Sequence, residues 1–254
     1  MQTLKLTSNR LNSIMASKLH LILLLMFVLT TVATQVAAAT NGTGGVGLNS
    51  TRLIYNQGEQ SISVSARNNS SINYLAKFNV IKSANISDKS ATPFSLSPPL
   101  VKIDKGTSQD IRIYMQPHSL PQDRETVFYF TATMIPSTNG PIEGAGINIG
   151  YNTIIKLFYR PKNLTISPED ARKGLIVKST PSGVVVENNS PYYISLSKLN
   201  VGKTKIELSL QKNNTMIAPF SSFNYLVPGA KSGIATWVAI NDLGGEDKYS
   251  GNIR

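Results

Sequence analysis

The chain has 254 residues, no cysteine, two histidines and a formal net charge of +11. Without thiols there are no disulfides, zinc–thiolate sites or cysteine nucleophiles, so an exported form must hold together through its hydrophobic core alone. Past the N-terminal region the one histidine is His118, beside Pro117 in a loop, and a lone solvated imidazole leaves triad and histidine–metal chemistry short of parts.

At the N-terminus, Lys18 precedes the apolar run Leu19–Val28, and Val36-Ala-Ala-Ala39 closes it. A basic start, an apolar middle and a small-residue exit describe a secretory signal peptide over residues 1–39. The run is short for a membrane span, and Thr30, Thr31, Thr34 and Gln35 interrupt its far end. Its basic lead is long for a signal, and Met15 offers an alternative start of translation. Removing residues 1–39 takes away Lys5, Arg10 and Lys18 but no acid, which brings the charge from +11 to +8. The remaining lysines and arginines are scattered, so the charge reads as solubility and steering, with no nucleic-acid partner.

Asn41 to Gly47 is a Gly-rich lead-in that is expected to be mobile. From Leu48 onward short apolar runs alternate with turn residues. Ser61–Ala66 has period two and runs into the loop Asn68-Asn-Ser-Ser71. In Tyr74–Ile81, Tyr74, Ala76, Phe78 and Val80 oppose Leu75, Lys77, Asn79 and Ile81. Pro93, Pro98 and Pro99 make Phe94–Val101 an edge or a sharp connection. Asp104–Ser108 reads as a turn and Gln109–Met115 as a strand, at the spacing of an immunoglobulin-like sandwich.

Ile147-Asn-Ile-Gly-Tyr-Asn-Thr-Ile-Ile-Lys-Leu-Phe-Tyr-Arg-Pro161 is the most unusual segment. Its first half alternates Ile147, Ile149 and Tyr151 with small or polar residues; its second half is apolar around Lys156. Such a strand is covered on both faces, or waits for something to cover it. Pro161–Ser167 reads as a boundary, with a short helix near Pro168–Arg172 that Ser167 could cap. Strands resume at Leu175–Val177, Gly183–Glu187, Tyr192–Leu199 and Ala235–Ile240. The reading is all-β: a 1–39 signal, a first sandwich over 40–160, a hinge at 161–167 and a smaller sandwich over 168–254. Because the chain ends soon after Gly244-Gly245, the final strand is expected to be short.

Six segments, in order, resemble the periplasmic pilus-assembly chaperones of the PapD-like family. They are Thr51-Arg-Leu-Ile54, Ser97-Pro-Pro-Leu-Val101, Leu120-Pro-Gln-Asp-Arg-Glu125 with Phe128-Tyr-Phe130, Ile155-Lys-Leu-Phe-Tyr-Arg-Pro161, Asn188-Asn-Ser-Pro-Tyr-Tyr193 and Ile240-Asn-Asp-Leu-Gly-Gly245. The chain lacks the cysteine pair that some members carry in the second domain. The brief loop Pro136–Gly146 resembles the short-loop subclass that builds rod-like pili.

The resemblance implies two immunoglobulin-like β-sandwich domains in an L-shaped arrangement, and a periplasmic chaperone that caps pilus subunits and delivers them to an outer-membrane usher. It places Arg52 and Lys156 in the cleft as the grip on a subunit's C-terminal carboxylate. It makes Ile147, Ile149, Tyr151 and Thr153 the donated strand, and Glu125, Arg160 and Asp242 an inter-domain ion network. No enzyme activity, cofactor or metal is implied. Independently of it, a lysine amid Ile155, Leu157 and Phe158 is costly to bury without an anion, whereas Arg52 reads equally well as a surface charge. Alternation at Ile147, Ile149 and Tyr151 is also what a strand packing its own sandwich would show.

Glu125 and Asp242 could in principle form a glycosidase pair, but an arginine between them would keep both ionised. The alternative to a chaperone is an immunoglobulin-like fimbrial subunit or adhesin, disfavoured because Asn41–Gly47 has one large apolar residue, Val46. A sugar-binding module would have only Trp237 as an indole platform. An unpaired apolar edge leaves self-capping of the free protein open, as a homodimer or under the lead-in.

Overall fold

A computed structural model describes residues 44–137, 149–227, 229 and 232–254. The expected signal segment and Ile147 lie outside the described residues, as does most of the loop Pro136–Gly146. In chain order the first half carries β1 (Val46–Leu48), β2 (Arg52–Asn56), β3 (Ser61–Asn68), β4 (Tyr74–Ile81), β5 (Phe94–Ser97), β6 (Leu100–Ile103), β7 (Thr107–Met115), β8 (Thr126–Pro136) and β9 (Tyr151–Arg160). The second half carries α1 (Pro168–Lys173), β10 (Ile176–Thr180), β11 (Gly183–Asn188), β12 (Ile194–Val201), β13 (Thr204–Lys205), β14 (Met216–Ile217), β15 (Ser221–Leu226), β16 (Ile234–Ile240) and β17 (Glu246–Asn252).

Strand periodicity sets the layers. Tyr74, Ala76, Phe78 and Val80 of β4 are buried while Leu75, Lys77 and Asn79 face out, so one pleat face feeds a core. That core lies between the sheets β1-β3-β7-β5 and β2-β9-β8-β4-β6. Phe78 and Phe130 stack in it with ring centroids 5.9 Å apart. The proline-rich stretch is where the chain changes sheets. β5 pairs with β7 in one sheet, and β6 pairs with β4 in the other, each at an edge. Pro98 and Pro99 separate the two, with a cis Ser97–Pro98 bond, in the kind of position where a missing N–H interrupts no ladder.

A second core lies between β10-β11-β15 and the sheet β13-β12-β16-β17. Its largest member, Trp237, is 2% exposed and donates its indole N–H to the Arg172 carbonyl at 2.9 Å. That carbonyl belongs to α1, which Ser167 caps by accepting from the Asp170 N–H at 3.0 Å. Glu169 and Asp170 occupy the first turn, where the helix dipole favours acids. Both sandwiches belong to one compact unit, Gly44–Arg254.

Two expectations change. Val46–Leu48 is not free lead-in but an edge strand paired with Ala66–Asn68, its Val46 and Leu48 side chains packed on the first core. The final strand is not short: β17 runs for seven residues, antiparallel to β16 along its length.

One device recurs in both halves. Asn68 is fully buried and gives its amide to the carbonyls of Ile72, Ile103 and Asp104, while its oxygen accepts from the Ser70 N–H and hydroxyl. Asn188 does the same with the carbonyls of Tyr192, Ile217 and Ala218 and with Ser190. Each asparagine thus ties the loop after its strand to a neighbouring turn. Asn188→Ala strands several buried polar groups at about 1–3 kcal/mol apiece. We expect a clear drop in the urea midpoint; an unchanged midpoint would mean water replaces the amide.

Candidate functional site

β9 is paired unequally on its two sides. β8 runs antiparallel to it from Tyr151 to Tyr159, whereas β2 joins in parallel only from Lys156 to Arg160. Over Tyr151–Ile155 the β2-side edge therefore has no strand partner among the described residues. Along the same segment the inward face of β9 leaves its own core. Tyr159, Leu157 and Ile155 are buried, Thr153 is half-buried, and Tyr151 and Ile149 reach 48% and 63% exposure. Tyr151 keeps one aromatic neighbour, Tyr74, at 6.4 Å. An apolar face without a cover beside an unpaired backbone edge is a liability that proteins ordinarily blunt.

Just where β2 begins, two cations stand side by side. The parallel register puts Arg52 opposite Lys156. Arg52 is 9% exposed, so it is no surface charge. It donates from Nη1 to the Ile240 carbonyl at 2.9 Å, and its guanidinium lies 5.7 Å from the Phe158 ring centroid. Its Nε is buried without a partner. Lys156 donates to the Ser195 hydroxyl at 3.1 Å. Neither cation has a carboxylate within salt-bridge distance among the described residues. Burial, then the neighbouring charge of Arg52, pulls Lys156 down to about 8; burial likewise lowers Arg52 against the pull of Asp242 and Glu125.

Four residues on, Arg160 spans the two sandwiches. Its Nε donates to Glu125 at 2.8 Å, and its two terminal nitrogens grip Asp242 at 2.6 and 2.9 Å. The second Glu125 oxygen accepts from the Tyr193 N–H at 2.9 Å, and the Glu125 N–H donates to the Pro191 carbonyl. The structure therefore brings Glu125, Arg160 and Asp242 together, with the Arg160 guanidinium also 5.1 Å from the Tyr192 ring centroid. Burial raises the Glu125 carboxyl, against the charge of Arg160 and the Tyr193 amide. Burial also pushes on Asp242, but its two bonds to Arg160 outweigh that and hold it low. The void at this seam is about 10 Å³, room for roughly one water. It is a packed joint and not a ligand chamber.

Sequence reading missed the next layer. Arg172 bridges to Asp247 at 3.0 Å, and Asn241 donates to the same carboxylate at 3.0 Å. Nothing in the spacing pointed to Asp247, because its strand was expected to be short and shows no hydrophobic period. Among the described residues, Arg52, Lys156, Arg160 and Arg172 stand in this region with Glu125, Asp242 and Asp247, one carboxylate short of balance. His118 is exposed, as its loop position suggested, and packs edge-on against Tyr159 at 4.9 Å.

The low Lys156 value has a testable sign. Between about pH 8 and 10.5 the unfolded chain keeps a proton that the folded lysine has lost, so this group makes stability rise with pH in that window. Below pH 8 both states are protonated and the slope vanishes. Urea midpoints of the protein and of Lys156→Gln, compared at pH 7.5 and 10, isolate the effect; parallel curves would contradict it.

Residues 45–165 match the family described as "Pili and flagellar-assembly chaperone, PapD N-terminal domain", and residues 162–251 match "Pili assembly chaperone PapD, C-terminal domain". The chain is 36% identical over 207 residues to the probable fimbrial chaperone protein ElfD of Escherichia coli K12, covering 81% of this chain and 85% of that protein. It is 35% identical over 212 residues to the chaperone protein FimB/FhaD of Bordetella pertussis, covering 80% and 86%. Among solved structures, a chain of the Salmonella enterica SafA pilin–SafB chaperone complex aligns with a TM-score of 0.70 at 28% identity, over 82% of this chain and 95% of that one. The E. coli chaperone DraB aligns with a TM-score of 0.69 at 28% identity, over 83% and 97%.

Proposed function

Because the chain belongs to the PapD-like pili-assembly chaperones, we propose that it caps fimbrial subunits in the periplasm with the open edge of β9 and delivers them to an outer-membrane usher. The observation that carries this reading is the unpaired edge Tyr151–Ile155 beside the exposed Ile149 and Tyr151. An incoming subunit with an open core gains main-chain hydrogen bonds from the edge, and its core takes up the alternate side chains, a mode already known for chaperone–pilin pairs. Ile147, Ile149, Tyr151 and Thr153 are the donated residues in this reading.

The cation pair supplies the register. A subunit's C-terminal carboxylate has an unpartnered donor at Arg52 Nε and an ammonium at Lys156, and it completes the charge balance of the cleft. An arginine fork fixes a carboxylate's orientation, while a lysine adds a compact charge. Pinning the terminus matters because a slip of one residue would turn each subunit side chain to the wrong face. The Glu125–Arg160–Asp242 joint holds the two sandwiches at a set angle across residues 161–167, and so shapes the cleft. Buried ion networks serve geometry better than net stability, since desolvation offsets much of the attraction.

The test is co-purification with a co-expressed fimbrial subunit. Ile149→Ser with Tyr151→Ser removes exposed apolar surface, so the free protein keeps its melting temperature within a degree or two. Recovery of soluble subunit is expected to fall by about tenfold or more, in line with losing two anchors worth about 1 kcal/mol or more each. Full recovery with the double variant would assign subunit capping to another surface.

A further inference from the structure

The second sandwich presents a face that the cleft does not use. Across β12, β16 and β17 the register aligns Lys198, Val238 and Lys248 in one row and Asn200, Thr236 and Ser250 in the next, with Lys205 of β13 beside Asn200. Lys173, at the end of α1, borders the same groove, whose volume is about 580 Å³. Lys173, Lys205 and Lys248 are exposed and have no acid within salt-bridge distance among the described residues. The one acid on the outward positions of these strands is Glu246, 3.8 Å from Lys198. Glu207, just past β13, is taken up by Lys212.

The geometry points to a docking surface for an extended acidic segment of a partner protein, laid along β16 between Lys198 and Lys248. Those two lysines flank the strand at two inter-strand spacings, ~10 Å, which is the lane an extended chain occupies. Along the lane the rows repeat every two residues, ~7 Å, the repeat at which alternate side chains of an extended peptide arrive. Asn200 and Thr236, hydrogen-bonded to each other at 3.1 Å, and Ser250 offer amide and hydroxyl groups to the peptide between its carboxylates. A lipid surface fits less well, because the apolar member of the row, Val238, is 8% exposed and recessed between lysines. Single-stranded nucleic acid would need outward aromatics for stacking, and these strands place none there. The site stands apart from the cleft and does not depend on subunit capping.

Trp237, the sole tryptophan, lies directly beneath this face and lines its groove, so its emission reports occupancy. The probe is a ten-residue glutamate peptide, titrated into the full chain at about 0.1 M salt, where charges beyond about 10 Å are screened. A saturable change in Trp237 emission is expected. It should weaken about tenfold or more in Lys198→Glu with Lys248→Glu, because like charges then face the peptide. The same reversal at Lys77 and Lys102, on the first sandwich, should leave it unchanged, as should Lys156→Ala. No saturable response overturns the proposal, as does equal binding by the reversed variant, loss in Lys156→Ala, or tighter binding of phosphatidylglycerol vesicles or an oligonucleotide than of the peptide.

Discussion

Lys156→Ala is expected to abolish stable complexes with a fimbrial subunit while leaving the free protein as stable as before, or more so. The two halves of that expectation share one cause. In the free protein the ammonium is largely withdrawn from water beside Arg52, and among the described residues its one hydrogen-bond partner is the Ser195 hydroxyl. Removing an unpaired buried cation relieves a desolvation cost. In the complex the same ammonium would meet a carboxylate, and truncating one side of a buried charge pair costs about 2–5 kcal/mol, roughly thirty- to several-thousand-fold in affinity. Arg52→Ala should weaken binding comparably. A Lys156→Ala protein that melts early and binds poorly would instead make Lys156 a structural residue.

Arg160→Ala should produce the largest loss of stability of any substitution at the site. Glu125 is 3% exposed, and Arg160 is the cation bonded to it. Breaking a buried pair from one side leaves an uncompensated charge, at about 3–5 kcal/mol. Arg160→Lys should recover little, because a compact ammonium lacks the planar fork whose three nitrogens span from Glu125 to both oxygens of Asp242. Removing the buried pair, as in Arg160→Met with Glu125→Gln, should cost less than Arg160→Ala alone, since the buried carboxylate goes with its cation and Asp242, 37% exposed, is left beside water. Urea unfolding decides the order; a double variant worse than the single would show that the network is worth more than its desolvation cost.

How much of this was legible in the sequence depended on which face each strand shows. β3 and β4 alternate apolar with polar residues and were read almost to the residue. Pro98 and Pro99 marked an edge or a sharp connection, which is where the chain changes sheets, and Ser167 marked the helix cap. β17 was expected only as a short final strand, because its inward residues are Asp247, Tyr249 and Gly251. Asp247 is held by Arg172 and Asn241, and Gly251 lies where an added Cβ would come within 3.4 Å of the Trp237 ring. Packing that uses a satisfied charge and a glycine leaves no hydrophobic period to read. β1 was too short and too glycine-rich to stand out. For the site, Lys156 announced itself as a charge in an apolar run. Arg52 did not, because its burial comes from β9 on one side and the Ile240 carbonyl of the second sandwich in front. Which residues meet across such distances in the chain is a property of the tertiary fold, and local spacing carries no trace of it.

Backbone hydrogen exchange along β9, measured with and without a bound fimbrial subunit, bears most directly on strand donation. Alternate amides from Ile149 to Ile155 should exchange quickly in the free protein and become protected in the complex, while those from Lys156 to Arg160, already paired with β2, change little. Unchanged exchange over Ile149–Ile155, with protection appearing at another edge such as β15, would contradict it.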